Sequence, residues 1–172
     1  LYQGSKPVMW SPVEKTALAE AEVEYHDKES FTIWVKFKVS NAADDLNDAH
    51  VVIWTTTPWT IPSNKAVVYG QDIAYGLYEV TGTPEESWTA VGDKFLLADN
   101  LAADVMKRAR LEENQWTRVR GVPADELADL TLSHPLAGAE GSNGEWDEAR
   151  DFRAAEFVTN TEGTGFVHCA PS

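Results

Sequence analysis

Apolar and polar side chains alternate towards the end of the run Phe31-Thr32-Ile33-Trp34-Val35-Lys36-Phe37-Lys38-Val39. That two-residue period, carried by β-branched and aromatic residues, predicts a half-buried strand. Val51-Val52-Ile53-Trp54 is a short continuous apolar run, which suits a strand covered on both faces. It passes into Thr55-Thr56-Thr57 and stops at Pro58. Lys65–Tyr69, closed by Gly70, and Ala74–Val80, closed by Thr81-Gly82-Thr83-Pro84, predict two further strands. Ser87–Val91, Trp116–Val122, Glu156–Thr159 and a segment entered through Gly163 and Gly165 and ending at Cys169 complete the set. Asn41–Asp48 forms an acidic turn and Gly138–Gly144 a glycine-rich loop.

A helical period stands out once. Leu101, Val105, Met106, Ala109 and Leu111 roughly share one face of a helix from Asn100 to about Gln115, with Asn100 as its cap. Pro123–Leu130 predicts a short second helix, with proline early and acids in its first turn. Residues 1–30 differ: Pro7 and Pro12 break the start, and Glu14–Glu24 is rich in Ala and Glu. They are expected to form a connector, with the domain proper over 31–172. Many short strands with one or two helices, not alternating, predict a β-rich mixed α/β fold. A barrel with peripheral helices is favoured over a doubly wound sheet.

Composition narrows the function. Apolar residues make up 43% of the 172, enough for a packed core. Lys and Arg number 14 against 28 Asp and Glu, a net charge of −14. Such a chain is unsuited to wrapping a long duplex, whose phosphates call for cations, but can touch one nucleotide end. No run of about 18 apolar residues occurs, so no membrane-spanning helix and no membrane partner is expected. The opening Leu1-Tyr2-Gln3-Gly4-Ser5 lacks the basic and apolar regions of a signal peptide. Cys169, the single cysteine, cannot form an internal disulfide, which suits a reducing, cytoplasmic setting. A start without Met and an end at Ala170-Pro171-Ser172 suggest a piece of a longer protein.

Candidate chemistry is concentrated in two segments. His26, His50, His134, His168 and Cys169 are scattered without metal-ligand spacing, so no protein-held metal is expected. Gly163-Thr164-Gly165 lacks the third glycine and the following helix of a dinucleotide loop. His168 and Cys169 are neighbours, but successive strand residues face opposite ways, so they form no dyad. Thr164, Phe166 and His168 then share one face, and Cys169 reads as a small core residue on the other. His168 is either a hydrogen-bonded structural histidine or a site residue. Trp54–Lys65 packs four threonines, two tryptophans and two prolines into twelve positions. It reads either as a strand end with a proline-stiffened turn, or as a rim of hydroxyls that grips a ribose, a carbonyl or a water. Threonine is a poor nucleophile without an adjacent base, so hydrolysis here would position water.

The run T-T-T-P-W-T-I-P-S-N-K-A at Thr55–Ala66 resembles the threonine-rich signature of the isoleucyl-tRNA synthetase editing domain. G-T-G-F-V-H-C-A-P at Gly163–Pro171 resembles that domain's second signature. Trp10–Tyr25, W-S-P-V-E-K-T-A-L-A-E-A-E-V-E-Y, is similar to the connector leaving the catalytic domain. The three lie in the family's order across nearly the whole chain. Valyl and leucyl relatives typically carry an arginine and no tryptophan after two threonines, so Thr57-Pro58-Trp59-Thr60 points to the isoleucyl branch.

The resemblance implies a closed six-stranded β-barrel with helices around it, of the type shared by valyl, isoleucyl and leucyl enzymes. It implies an ester hydrolase acting on valine attached to the 3′ end of isoleucine tRNA, with valyl-adenylate as a second substrate. A pocket that fits isoleucine gains only about 1–3 kcal/mol from the extra methylene, so a second, smaller sieve must remove valine. The synthetic motifs H-I-G-H and K-M-S-K-S are absent. No cofactor is expected in this domain, ATP being used by the catalytic domain of the parent synthetase, which is the other expected partner.

Roles follow the matched positions. Thr55, Thr56 and Thr57 would line the pocket, and Thr57 would help set its size limit. Asn64 would support substrate or loop. His168 would contact the amino acid or the water and supply bulk against isoleucine, which makes His168 and Thr57 the catalytic candidates. Trp59 would anchor the loop. The family pattern continues to an aspartate beyond the His-x-Ala-Pro run, which this sequence does not include. Weak hydrolysis by the isolated segment is therefore expected. The competing expectation is a non-catalytic barrel that stacks a single-stranded nucleic-acid end, which the acidic charge disfavours.

Overall fold

The computed structural model describes residues 4–42, 44–85 and 87–171; the chain ends at Leu1–Gln3 and Ser172 lie outside them. The chain divides after Ser30 into two units. In the first, β1 (Trp10–Ser11) pairs antiparallel with β2 (Thr16–Ala17). A 3-10 turn follows at Glu20–Glu22, where the Glu22 carboxylate accepts the Ala19 N–H at 2.7 Å.

The second unit, 31–172, opens with β3 (Ile33–Val39) and β4 (Ala49–Thr55). β5 (Ala66–Tyr69), β6 (Tyr75–Val80) and β7 (Lys94–Ala98) follow. Next come α1 (Ala102–Arg108), β8 (Trp116–Val122) and α2 (Ala124–Ala128). β9 (Leu132–Ser133), β10 (Asp151–Ala154) and β11 (Phe166–Cys169) end it. Six strands form one sheet in the order β8-β6-β7-β4-β3-β9, and three form another in the order β10-β5-β11.

The two-residue period of β3 behaves as its sequence requires: Phe37 and Val39 are buried, while Trp34, Lys36 and Lys38 are exposed. β4 lies inside the sheet, antiparallel to β3 and parallel to β7, and its apolar run is packed on both faces. One face packs Phe37, Val51, Ile53, Leu77 and Leu96 with Leu127 and Leu132. The other packs Val52, Tyr78, Phe95 and Leu97 under Val105 and Met106 of α1.

The sheets do not close into a barrel. β8 and β9 are the two edges of the six-stranded sheet, and no ladder joins them. The chain passes from one edge to the other through α2, whose Leu127 is fully buried in the core. A short helix therefore occupies that crossing, and β9 pairs with β3 through only two residues.

Other expectations are corrected locally. Ser87–Val91 is irregular, not a strand: Ser87 Oγ donates to Ala109 O at 3.0 Å and accepts the Thr89 N–H, while Trp88 stands 83% exposed. Such side-chain bonds compete with a ladder. Glu156–Thr159 is likewise no strand; the strand there is β10, with Phe152 as its one buried residue. α1 ends at Arg108 because Arg110 takes a left-handed φ of 63°. The Leu111 N–H then reaches back to Met106 O at 3.0 Å and the Arg110 N–H to Lys107 O, a Schellman closure. Asn100 does not cap the helix; its amide donates to Asn160 O at 2.6 Å.

Candidate functional site

The site is built where β4 ends. Thr55, its last residue, is buried, and its hydroxyl accepts the Thr57 N–H at 3.1 Å. Pro58 fixes the backbone for a 3-10 turn over Pro58–Ser63. In that turn Thr60 comes three residues after Thr57, which brings both onto one side. The Thr60 N–H and hydroxyl both donate to Thr57 O, at 3.0 and 2.7 Å. The hydroxyls form a row: Thr55 to Thr57 at 3.3 Å, Thr57 to Thr60 at 3.3 Å, and Thr60 to His168 Nε2 at 3.2 Å.

The single Thr60 hydroxyl proton goes to Thr57 O. His168 Nε2 must then carry a proton and donate to Thr60 Oγ, which leaves Nδ1 bare. That Nδ1 is buried and has no protein partner. Burial alone holds the imidazole below its ordinary value of 6.5, so it is neutral at pH 7.

β11 delivers His168. Its register against β5 sets His168 opposite Val67 and Cys169 opposite Ala66. Upstream, Gly165 O accepts the Tyr75 hydroxyl at 2.7 Å, and the Phe166 ring stacks on Tyr75 at 4.6 Å. Asn64, 1% exposed, fastens turn to strand: Nδ2 donates to Ala66 O at 2.8 Å and to Cys169 O at 3.4 Å, and the Lys65 N–H bonds Cys169 O at 2.9 Å.

Thr55, Thr57 and His168 thus converge, and Asn64 supports the loop behind them. Thr56 is exposed and outside the bonded row. Cys169 is half-buried, not a core residue, because the Val167 and Cys169 face of β11 looks outward. Burial still pushes its thiol above the ordinary range. Trp59 is 70% exposed. Thr60 was not singled out from sequence as a site residue, although the P-W-T spacing places it one 3-10 turn after Thr57. Across β4, Trp54 faces away from Thr55 and lines a hollow of about 300 Å³ with Trp34, Asp104 and Arg108. Among the described residues no group of three or more His, Cys, Asp or Glu is placed to hold a metal. No helix among them is long and apolar enough to cross a membrane.

The family model of tRNA synthetases class I (I, L, M and V) matches residues 1–126. The isoleucine–tRNA ligase of Ruegeria pomeroyi is 75% identical over 172 residues, covering 100% of this chain and 17% of that protein. That of Bradyrhizobium diazoefficiens is 52% identical, covering 99% and 17%. The chain thus spans about 17% of the length of these curated relatives. Among solved structures, the P. knowlesi cytosolic leucyl-tRNA synthetase editing domain superposes with a TM-score of 0.56 at 10% identity, covering 81% of this chain and 56% of that one. The GlLeuRS-CP1 crystal structure gives 0.55 at 14%, covering 80% and 54%. At such identities the likeness is one of fold, and it reads as a mixed α/β editing-domain fold with several sheets.

Proposed function

The chain belongs to the class I tRNA synthetases, and from that premise we propose that it is the editing segment of an isoleucyl-tRNA synthetase, hydrolysing valine from mischarged isoleucine tRNA. The observation that carries this reading is the bonded row Thr57–Thr60–His168, in which a neutral imidazole from β11 meets hydroxyls from the turn after β4. Identity to isoleucine–tRNA ligases over the full chain supports the isoleucine branch, and the fold shared with leucyl editing domains supports the activity class.

In this reading Thr57 and His168 are the catalytic residues. The 3′-terminal adenosine lies over Thr55 and Thr56, and the ester carbonyl faces the row. The Thr57 hydroxyl holds a water against that carbonyl. Water adds to the carbonyl, the bond to the ribose oxygen breaks, and that oxygen takes a proton from the attacking water, leaving free valine and a ribose hydroxyl. Holding water and ester at near-attack distance is the main contribution available to such groups. The His168 ring and Thr57 limit the space beside the amino acid, so valine enters and isoleucine is refused. Valyl-adenylate, which presents the same aminoacyl carbonyl, is a second substrate. No cofactor takes part, and the rest of the synthetase, in the cytoplasm, brings the tRNA end.

The test uses the full-length polypeptide that carries this segment. Valyl-tRNA(Ile) should be deacylated and isoleucyl-tRNA(Ile) spared, and His168→Ala and Thr57→Val should each slow valine removal at least tenfold. Equal hydrolysis of both esters, or full activity in both variants, refutes the assignment.

A further inference from the structure

Behind the threonine turn lies a second arrangement that the reaction itself does not use. The turn presents its hydroxyls forward, and its own carbonyls at Ile61 and Pro62 point back. His134, 2% exposed, reaches Ile61 O through Nε2 at 2.9 Å. Its Nδ1 accepts the Leu136 N–H at 3.1 Å, which fixes the tautomer with the proton on Nε2. The next carbonyl, Pro62 O, accepts the Trp146 indole N–H at 2.9 Å. The two rings stack on each other, 5.8 Å apart and 11° from parallel, and the edge of His134 meets Phe37 of β3.

The loop that carries Trp146 is itself fixed. Arg150, 3% exposed, donates from Nη2 to Glu145 O at 3.2 Å and from Nη1 to Glu148 O at 3.0 Å. Its backbone bridges Leu132 of β9. Its guanidinium thus holds the carbonyls on either side of Trp146. Two adjacent carbonyls of the turn are therefore gripped by two stacked rings, one rooted after β9 and the other in a loop closed by a buried arginine.

We propose that His134 and Trp146 are positioning residues, a clamp that sets the Thr57–Thr60 hydroxyls against His168. The proposal rests on the editing reading above. A 3-10 turn has poorer hydrogen-bond geometry than an α-helix and is held by what it packs against. With Trp59 exposed, the clamp adds from the rear to the hold that buried Ile61 and Asn64 give the turn. Displacing a positioned group by about 1 Å costs on the order of 100-fold in rate, so the clamp acts on kcat although neither ring touches substrate.

The experiment compares Trp146→Ala, Trp146→Phe and His134→Gln in the full-length polypeptide. Amide hydrogen exchange is read over residues 57–65 by mass spectrometry, with β6 and β7 peptides as a control for the fold. Deacylation of valyl-tRNA(Ile) is measured on the same samples. Trp146→Ala should speed exchange in the turn about tenfold, leave β6 and β7 unchanged, and lower kcat about 10- to 100-fold with KM within threefold. Trp146→Phe keeps the stack without the N–H and should fall between. His134→Gln keeps a donor towards Ile61 O without the stack, and should do the same. Unchanged exchange in Trp146→Ala overturns the clamp. Faster exchange with unchanged kcat overturns its positioning role. No deacylation by the unsubstituted polypeptide overturns the editing reading and with it that role, while the exchange data still decide whether the clamp holds the turn.

Discussion

Gly165→Ala is the most demanding probe of how β11 is set. Gly165 takes a φ of 82°, a left-handed conformation that alanine adopts at a cost of about 1–2 kcal/mol. A methyl there would overlap the Ala98 Cβ of β7 and stand 3.2 Å from the Tyr75 ring. Both neighbours are fixed: the Ala98 N–H donates to Thr164 O at 3.0 Å, and the Tyr75 hydroxyl donates to Gly165 O while accepting the Gly70 N–H at 2.9 Å. Overpacking such a site costs about 1–3 kcal/mol. Alanine also restrains the unfolded chain, which returns up to about 1 kcal/mol. The net expectation is a loss of about 1–5 kcal/mol.

The assay is urea unfolding of the 172-residue chain, followed by tryptophan fluorescence and circular dichroism. An unchanged m-value would show that the native state has lost stability without a change in compactness. Ala98→Gly separates the two causes. Removing the Ala98 methyl relieves the overlap but not the backbone strain, so the double mutant should show a favourable coupling of about 1–3 kcal/mol. Gly165→Ala within 0.5 kcal/mol of the parent, or no coupling to Ala98→Gly, refutes the close approach of β11 to β7.

Two other perturbations follow from buried polar groups. His50, His134 and His168 all have folded values held below 6.5, chiefly by burial. The unfolded chain therefore binds protons first, so their contribution is complete above about pH 6.5 and is lost as pH falls below it. Urea midpoints should decline from pH 7 to pH 5, before Asp45 and Asp99 titrate, since Arg120 and Arg118 hold these carboxylates below their ordinary range. A flat profile from pH 7 to pH 5 contradicts the buried neutral imidazoles. Asn64→Ala removes the amide donor to Ala66 O and the longer bond to Cys169 O, which keeps the Lys65 N–H, and should cost about 1–3 kcal/mol in the same urea assay. A loss under 0.5 kcal/mol would show that Asn64 does not fasten the turn.

What could be read from sequence was what local chemistry decides. The alternation at 33–39, the apolar run at 51–54 and proline after Thr57 each fixed an element within a residue or two. Thr57 and His168 were identified by resemblance, and their approach through Thr60 depends on a pairing of β11 with β5 about a hundred residues away in the chain. Closure of the sheet is equally non-local. Six of the eight expected strands and the helix at Pro123–Leu130 were visible, while β7, β9 and β10 were not, and only the paired register shows that the helix sits between the sheet's two edges. Arg110 ended α1 without a glycine, and β10 carries a single buried apolar residue, so neither left a periodic signal. The clamp was hidden for another reason: a histidine and a tryptophan twelve residues apart in a glycine-rich loop show no pattern until they meet two backbone carbonyls.

The electrostatics of His168 constrain which hydrolysis this site can perform. Burial is the one cause that moves its titration, with no carboxylate favouring the imidazolium. A histidine that strips a proton from a nucleophile gains from such a partner, as in a Ser-His-Asp triad, because the cation formed must be stabilised. Here the proton on Nε2 is donated to Thr60, and accepting another would put a charge into a half-buried, acid-free position. The arrangement therefore favours a neutral ring that orients hydroxyls and bounds a pocket over a ring that cycles through its charged form. An acid limb of the deacylation rate at or above pH 6.5 would contradict a ring whose titration burial holds below that value. A rate that holds down to pH 6.5 fits a neutral ring, with the proton of the attacking water passing directly to the ribose oxygen.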